Sequence, residues 1–139
     1  MQILIVEDSN TSRIFFMEIL KNITEGRSVN IDSAVSGEEA LDKFEKKWLE
    51  GTPFDLIFMD IVLPGIDGLQ TLEKIRAIEQ VRQIPEDKKA KAIMTTALDD
   101  NTKASRAFFQ CEALSYMTKP ITEEKILTEL KKFGLLQGV

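Results

Sequence analysis

The sequence predicts an α/β fold: a parallel β-sheet with helices on both faces. Three observations lead there. Five short apolar runs have the length and the β-branched or bulky content of strands. Between them, apolar residues recur at helical spacing. The two patterns alternate along the whole 139-residue chain, and strands joined by helix-length crossovers pair in parallel.

The elements follow in order. Ile3–Val6 is the first run, ending in Glu7 and Asp8. Phe16, Ile19, Leu20 and Ile23 share one face of the helix after it. A second, mixed run covers Val29–Val35. Ser36 precedes "GEEAL" with Glu39 three residues on, a capping-box pattern, and Ala40, Leu41, Phe44 and Trp48 form the stripe of that helix. The third run, Phe54–Met59, ends on Asp60, and a loop with Pro64, Gly65 and Gly68 leads to Leu69, Leu72 and Ile75. Asp67 is the candidate cap of this third helix, and Asp99 or Asp100 that of the fourth. The stretch "RQIPEDKKAK", Arg82–Lys91, is the one loose segment and reads as a solvated surface loop. Ala90–Thr96 is the fourth run, followed by a helix with Ala104, Ala107, Phe108 and Cys111 on one face. Leu114–Met117 is the fifth. Thr122 with Glu123 and Glu124 opens the last helix, placing acids where its dipole favours them. Ile126, Leu127, Leu130 and Phe133 form its stripe, and Gly134 and Gly138 weaken its last turns.

Composition narrows the class. Apolar residues at 43% and charged residues at 29% suit one soluble globular domain with a real core. The single cysteine, Cys111, rules out an internal disulfide and points to a reducing, cytoplasmic setting. Histidine, the commonest general base and metal ligand, does not occur. A net charge of −5 argues against a nucleic-acid-binding face. No run approaches the roughly 20 apolar residues that span a membrane, and the start lacks the pattern of a secretory signal.

In an open parallel sheet, ligands bind beyond the carboxyl ends of the strands. Those ends carry Glu7 and Asp8, then Asp60, then Thr96 and Ala97, then Lys119 and Pro120. Singly, each has an ordinary explanation. Asp8 suits a helix cap, Lys119 a solvated charge, Thr96 a strand residue and Tyr116 a half-buried aromatic. At four strand ends together they describe a site. Three crowded carboxylates raise one another's pKa unless a cation sits among them, and hard oxygen donors suit Mg²⁺. A lysine beside them supplies a point charge for phosphoryl oxygens. A carboxylate can itself be the nucleophile, forming an aspartyl-phosphate.

The residues that carry this chemistry lie in "ILIVEDS", "FDLIFMDIVLPGIDG", "IMTTA" and "YMTKP". In that order they resemble a bacterial two-component response regulator, of the stand-alone, chemotaxis-type receiver kind, over essentially the whole chain. The resemblance implies a flavodoxin-like, doubly wound (βα)5 fold with strand order 2-1-3-4-5, and a single receiver domain over residues 1–139 without an output domain. It implies Asp60 as phosphoacceptor from the phosphohistidine of a sensor histidine kinase. Asp8 would be a direct Mg²⁺ ligand, Glu7 a second acid acting through water, and the Val62 backbone carbonyl a further ligand, with Mn²⁺ as a substitute metal. Lys119 would pair with the phosphoryl group. Thr96 would be the switch hydroxyl, Ala97 would leave room for it and offer its N–H, and Tyr116 would be the switch aromatic. The Lys119–Pro120 bond would be cis.

The implied function is a cytoplasmic signalling switch, not an enzyme turning over a substrate. Its output would be binding of an unidentified protein target through the fourth helix, the fifth strand and the last helix. The alternative is a phosphorelay intermediate that passes the group to a histidine phosphotransfer protein. The expected state is a monomer, or a dimer once phosphorylated, with no nucleic-acid or membrane partner. An aspartate-nucleophile phosphatase would need a second acid two residues past Asp60, where Val62 stands. A flavin carrier would need a phosphate-cradling loop after the first strand, where "EDSNTSR" places acids instead.

Two departures from the family pattern carry expectations of their own. Glu112 stands where a glycine is usual before the fifth strand. A left-handed non-glycine residue costs ~1–2 kcal/mol, so the turn is expected to depart from the family shape. Val62 and Leu98 are apolar and cannot orient an attacking water, so the acyl phosphate is expected to hydrolyse slowly.

Overall fold

A computed structural model of the chain describes residues 1–97, 105–106 and 110–135. The elements are β1 (Gln2–Val6), α1 (Asn10–Ile23), β2 (Asn30–Ala34), α2 (Gly37–Leu49), β3 (Leu56–Asp60), α3 (Gly68–Val81), β4 (Lys91–Thr96), β5 (Ser115–Thr118) and α4 (Glu123–Lys132). The strands form one parallel sheet in the order β2-β1-β3-β4-β5, the flavodoxin-like order that was expected. Of the predicted fourth helix, Ser105, Arg106 and Gln110 are helical. Leu98, Asp99, Asp100, Ala104, Ala107, Phe108 and Gly138 lie outside the described residues.

The sheet has two apolar faces because its central strands alternate between two cores. Leu4, Val6, Ile57, Met59, Ala92 and Met94 pack with Ala40 and Phe44 of α2 and with Leu69, Leu72 and Ile75 of α3. Ile3, Ile5, Leu56, Phe58 and Ile93 pack on the other side with α1 and α4. There the rings of Phe16 and Phe58 meet at 4.9 Å. Every residue of β3 is buried, which is why the strand reads as a continuous apolar run. Among the described residues, no helix is long and apolar enough to cross a membrane.

The helix ends follow the sequence signals, with instructive differences. Asp67 caps α3 in a full capping box with Gln70, and Thr122 caps α4. Ser36 caps α2, but the Glu39 carboxylate returns to the Val35 N–H at 2.9 Å, so the box is not reciprocal. Ser9, not Asp8, caps α1, which leaves Asp8 for another role. Gly134 does not weaken α4 but ends it. At φ +60 it lets its own N–H reach Lys131 O and the Leu135 N–H reach Leu130 O, a Schellman closure.

The segment Arg82–Lys91 is less loose than the charge run suggests. Ile84 is buried, its N–H bonds to Glu79 O at 3.0 Å, and a short 3-10 turn covers Glu86–Lys88. Glu79, fully buried, pairs with Arg76 at 2.7 Å and accepts the Ala90 N–H at 2.8 Å.

The expectation for Glu112 is corrected here. Glu112 adopts an ordinary left-handed turn at φ +55, the conformation a glycine would supply. Arg76 explains how the turn is held. Its guanidinium donates to the carbonyls of Ala90 at 2.7 Å, Cys111 at 2.8 Å and Glu112 at 3.1 Å. Three backbone acceptors around the turn are thereby satisfied by one charged donor, which offsets the backbone cost.

Candidate acidic site at the sheet rim

Strand register sets the site. Val6 lies beside Met59, Asp60 beside Thr95, and Thr96 beside Thr118. All four strand ends therefore stop at one level. The ladder continues past them through Glu7 N to Ala34 O at 3.0 Å, Ile61 N to Thr95 O at 2.9 Å, and Lys119 N to Thr96 O at 2.7 Å. Residues just beyond the strands inherit this rigidity.

Glu7, Asp8 and Asp60 each bring a carboxylate oxygen within 4.8 Å of the others. Asp60 is 2% exposed and Glu7 4%, while Asp8 faces solvent. Lys119 reaches in from the β5 end, its ammonium 2.8 Å from Asp60 Oδ2 and 3.1 Å from Glu7 Oε1. Asp60 Oδ1 accepts the Val62 N–H at 3.2 Å. A Cβ at Gly68 would collide with the Asp60 carbonyl, so the start of α3 packs tightly behind the acid. The Lys119–Pro120 peptide is cis, as expected.

The electrostatics are unbalanced. Fully ionised, three acids against one lysine leave two negative charges in excess. Burial is the largest reason that Glu7 is pushed up to about 7, and the neighbouring Asp60 carboxylate adds to it, while Lys119 pulls the other way. A cavity of about 430 Å³ borders Glu7, with Ile5, Phe16 and Phe58 among the apolar residues in its wall. Burial draws the Lys119 ammonium down, but its bonds to Asp60 and Glu7 outweigh this and raise it. Glu7 Oε2 is buried without a hydrogen-bond partner. An orphaned oxygen among hard donors with two surplus charges fits a small divalent cation such as Mg²⁺.

Of the residues singled out in the sequence, Glu7, Asp8, Asp60 and Lys119 meet directly. Thr96, buried at the end of β4, stands at the same rim. Ala97 follows it and is exposed. Tyr116 points outward at 40% exposure. Val62 is 63% exposed. Sequence reasoning missed Arg13, whose guanidinium donates to Glu7 O at 3.4 Å and to Asn10 Oδ1 at 2.6 Å. The only local signal was the i,i+3 spacing of Asn10 and Arg13 in the first turn of α1. Ile14 and Phe15 are exposed at 57% and 56% on the same helix, and Phe15 shares a cavity wall with Glu7 and Lys119.

Comparison with known proteins agrees with this geometry. The family model described as "Response regulator receiver domain" matches residues 3–131. The chain is 30% identical over 131 residues to the chemotaxis protein CheY of Bacillus subtilis, covering 94% of this chain and 95% of that protein. It is also 30% identical to hybrid signal transduction histidine kinase L of Dictyostelium discoideum over 96% of its own length, but spans only 7% of that kinase. Among solved structures, it is similar to the Borrelia burgdorferi CheX–CheY–BeF3–Mg complex, with a TM-score of 0.74 and 26% identity, covering 95% of this chain and 88% of that one.

Proposed function

This chain belongs to the response regulator receiver domain family, and from that premise we propose that it is a two-component signalling switch phosphorylated on Asp60. The observation that carries the proposal is the setting of Asp60: a buried carboxylate at a strand end, 2.8 Å from Lys119 and clustered with Glu7 and Asp8. Glu7, Asp8 and Asp60, with the Val62 carbonyl, would hold Mg²⁺. When bound, the metal supplies positive charge to the phosphoryl oxygens.

The chain's own residues do the rest. An Asp60 carboxylate oxygen attacks the phosphorus of a partner's phosphohistidine. The new O–P bond forms as the P–N bond breaks, and the imidazole nitrogen leaves with its electron pair. Lys119 neutralises charge on Asp60 before transfer and on the phosphoryl group after it. The switch then runs through the Thr96 hydroxyl, with the Ala97 N–H and the outward Tyr116 as responding groups. The output face comprises β5, α4 and the residues before β5. The exposed Ile14 and Phe15 beside the site suit docking of the kinase or phosphotransfer partner.

The test is phosphorylation by a small-molecule phosphodonor with Mg²⁺, comparing the wild type with Asp60→Asn. A single phosphoryl group on the wild type and none on the variant is the expected result. An unlabelled wild type would overturn the proposal.

Likeness to a hybrid histidine kinase supports a second reading, in which Asp60 passes its phosphoryl group onward to a histidine phosphotransfer protein. Incubating the phosphorylated chain with such a protein separates the two. Rapid loss of label to the partner's histidine identifies a relay, and retention with altered target binding identifies a switch.

A further inference from the structure

The loop that follows Asp60 is held by a different helix. Glu38, the second residue of α2, accepts the Ile66 N–H at 3.0 Å through Oε1. Its carboxylate also lies against Gly65, where φ is +72 and an added Cβ would sit 2.8 Å from Oε1. The neighbouring Gly37 packs so closely that a Cβ there would collide with Thr71 Oγ1 and come within 2.7 Å of the Ile66 side chain. Thr71 in turn donates to Asp67 O at 2.7 Å. The first turn of α2 and the loop ahead of α3 are therefore packed as one unit. Glycines stand where no side chain fits, and an acid stands where a backbone N–H points.

That loop carries Val62, whose N–H bonds to Asp60 Oδ1. We infer that Glu38 is a positioning residue, which fixes the loop from α2 and so presets the Val62 backbone toward Asp60 and the metal. This rests on the reading of Asp60, Glu7 and Asp8 as the Mg²⁺ site. Glu38 belongs to none of that cluster and does not touch the reacting atoms. A loop already ordered loses less freedom when the site fills, and removing outer partners of metal ligands weakens metal binding by roughly 10–100-fold.

Glu38 is exposed, so replacing it leaves both cores intact. The test compares the wild type, Glu38→Ala and Glu38→Gln by Mg²⁺ calorimetry and by amide exchange at Gly65 and Ile66 in the metal-free protein. The alanine variant is expected to bind Mg²⁺ roughly tenfold more weakly and to exchange faster at Ile66. The glutamine variant keeps an acceptor oxygen and is expected to restore both toward wild type. Equal weakening in both variants would assign the effect to charge and overturn the inference. So would unchanged affinity or unchanged exchange in Glu38→Ala. A wild type that binds no Mg²⁺ overturns the reading of the acidic site itself, a result distinct from a wild type that binds while Glu38→Ala matches it.

Discussion

The Lys119 ammonium lies 2.8 Å from Asp60 Oδ2, although the two residues are 59 positions apart, one at the end of β3 and the other just past β5. That contact places one cation on two buried acids, since the same ammonium is 3.1 Å from Glu7. Replacing it by Met removes the donor and keeps the stem. Phosphorylation from a small-molecule donor is expected to slow by roughly 10²–10³-fold, the usual effect of losing one preorganised charge-stabilising donor. Because Lys119 pulls the Glu7 pKa down, the variant's Glu7 should also hold its proton to higher pH, read by carboxyl NMR. A wild-type rate in Lys119→Met would contradict the assigned role.

Glu7 makes the metal-free protein sensitive to pH in an unusual direction. Its pKa rises from 4.5 to about 7 on folding, chiefly through burial. Between those values the folded state binds more protons than the unfolded state, so this group's contribution to stability falls as pH rises through the window. Melting temperatures of the metal-free protein should carry that downward component, which Glu7→Gln removes. Mg²⁺ competes with the same proton, so its apparent affinity should rise from pH 6 to pH 8 and flatten above. Affinity independent of pH would show that Glu7 does not face the metal.

Arg76 and Glu79 form a buried pair at 2.7 Å, with the Glu79 side chain fully enclosed. Arg76→Met strands that carboxylate and frees three carbonyls, and should cost about 3–5 kcal/mol in chemical denaturation. Adding Glu79→Leu should recover part of the loss, because the unpaired charge is then gone. If the single variant keeps wild-type stability, the pair does not hold the turn at Glu112.

At Glu112 itself, φ is +55, and the Lys89 contact of 3.8 Å is long and exposed. Glu112→Gly relieves the left-handed cost while adding freedom to the unfolded chain, for a net gain of up to about 1 kcal/mol. Glu112→Ala keeps the cost and should show no gain. Urea midpoints decide between them.

The Val62 side chain is exposed and would offer only carbon to a water attacking the proposed phosphoryl group. Self-dephosphorylation should therefore be slow, with a lifetime well beyond seconds, and Val62→Gln should shorten it. Decay of the phosphorylated form, followed by mass spectrometry, measures both. A lifetime of seconds in the wild type would refute the role given to Val62.

Much of this molecule was legible in its sequence, because the signals involved are local. A short uninterrupted apolar run such as Leu56–Met59, closed by a Pro- and Gly-containing loop, suits a strand buried on both faces. Acids and a lysine placed just past such runs must meet at one rim once the strands are parallel. Asp67 and Thr122 announce helix starts through side chains that reach only three residues. Tertiary structure alone decided the rest, since those contacts join residues far apart in the chain. Glu112 takes a shape its own chemistry disfavours because Arg76, 36 residues earlier, bonds its carbonyl. Glu38 steadies a loop 28 residues away. The proton on Glu7 depends on burial and on Asp60, which no spacing along the sequence could report. Local periodicity thus determined the sheet and which acids and lysine stand at its rim, while packing between α2, α3 and the strand ends decided how tightly that rim is held.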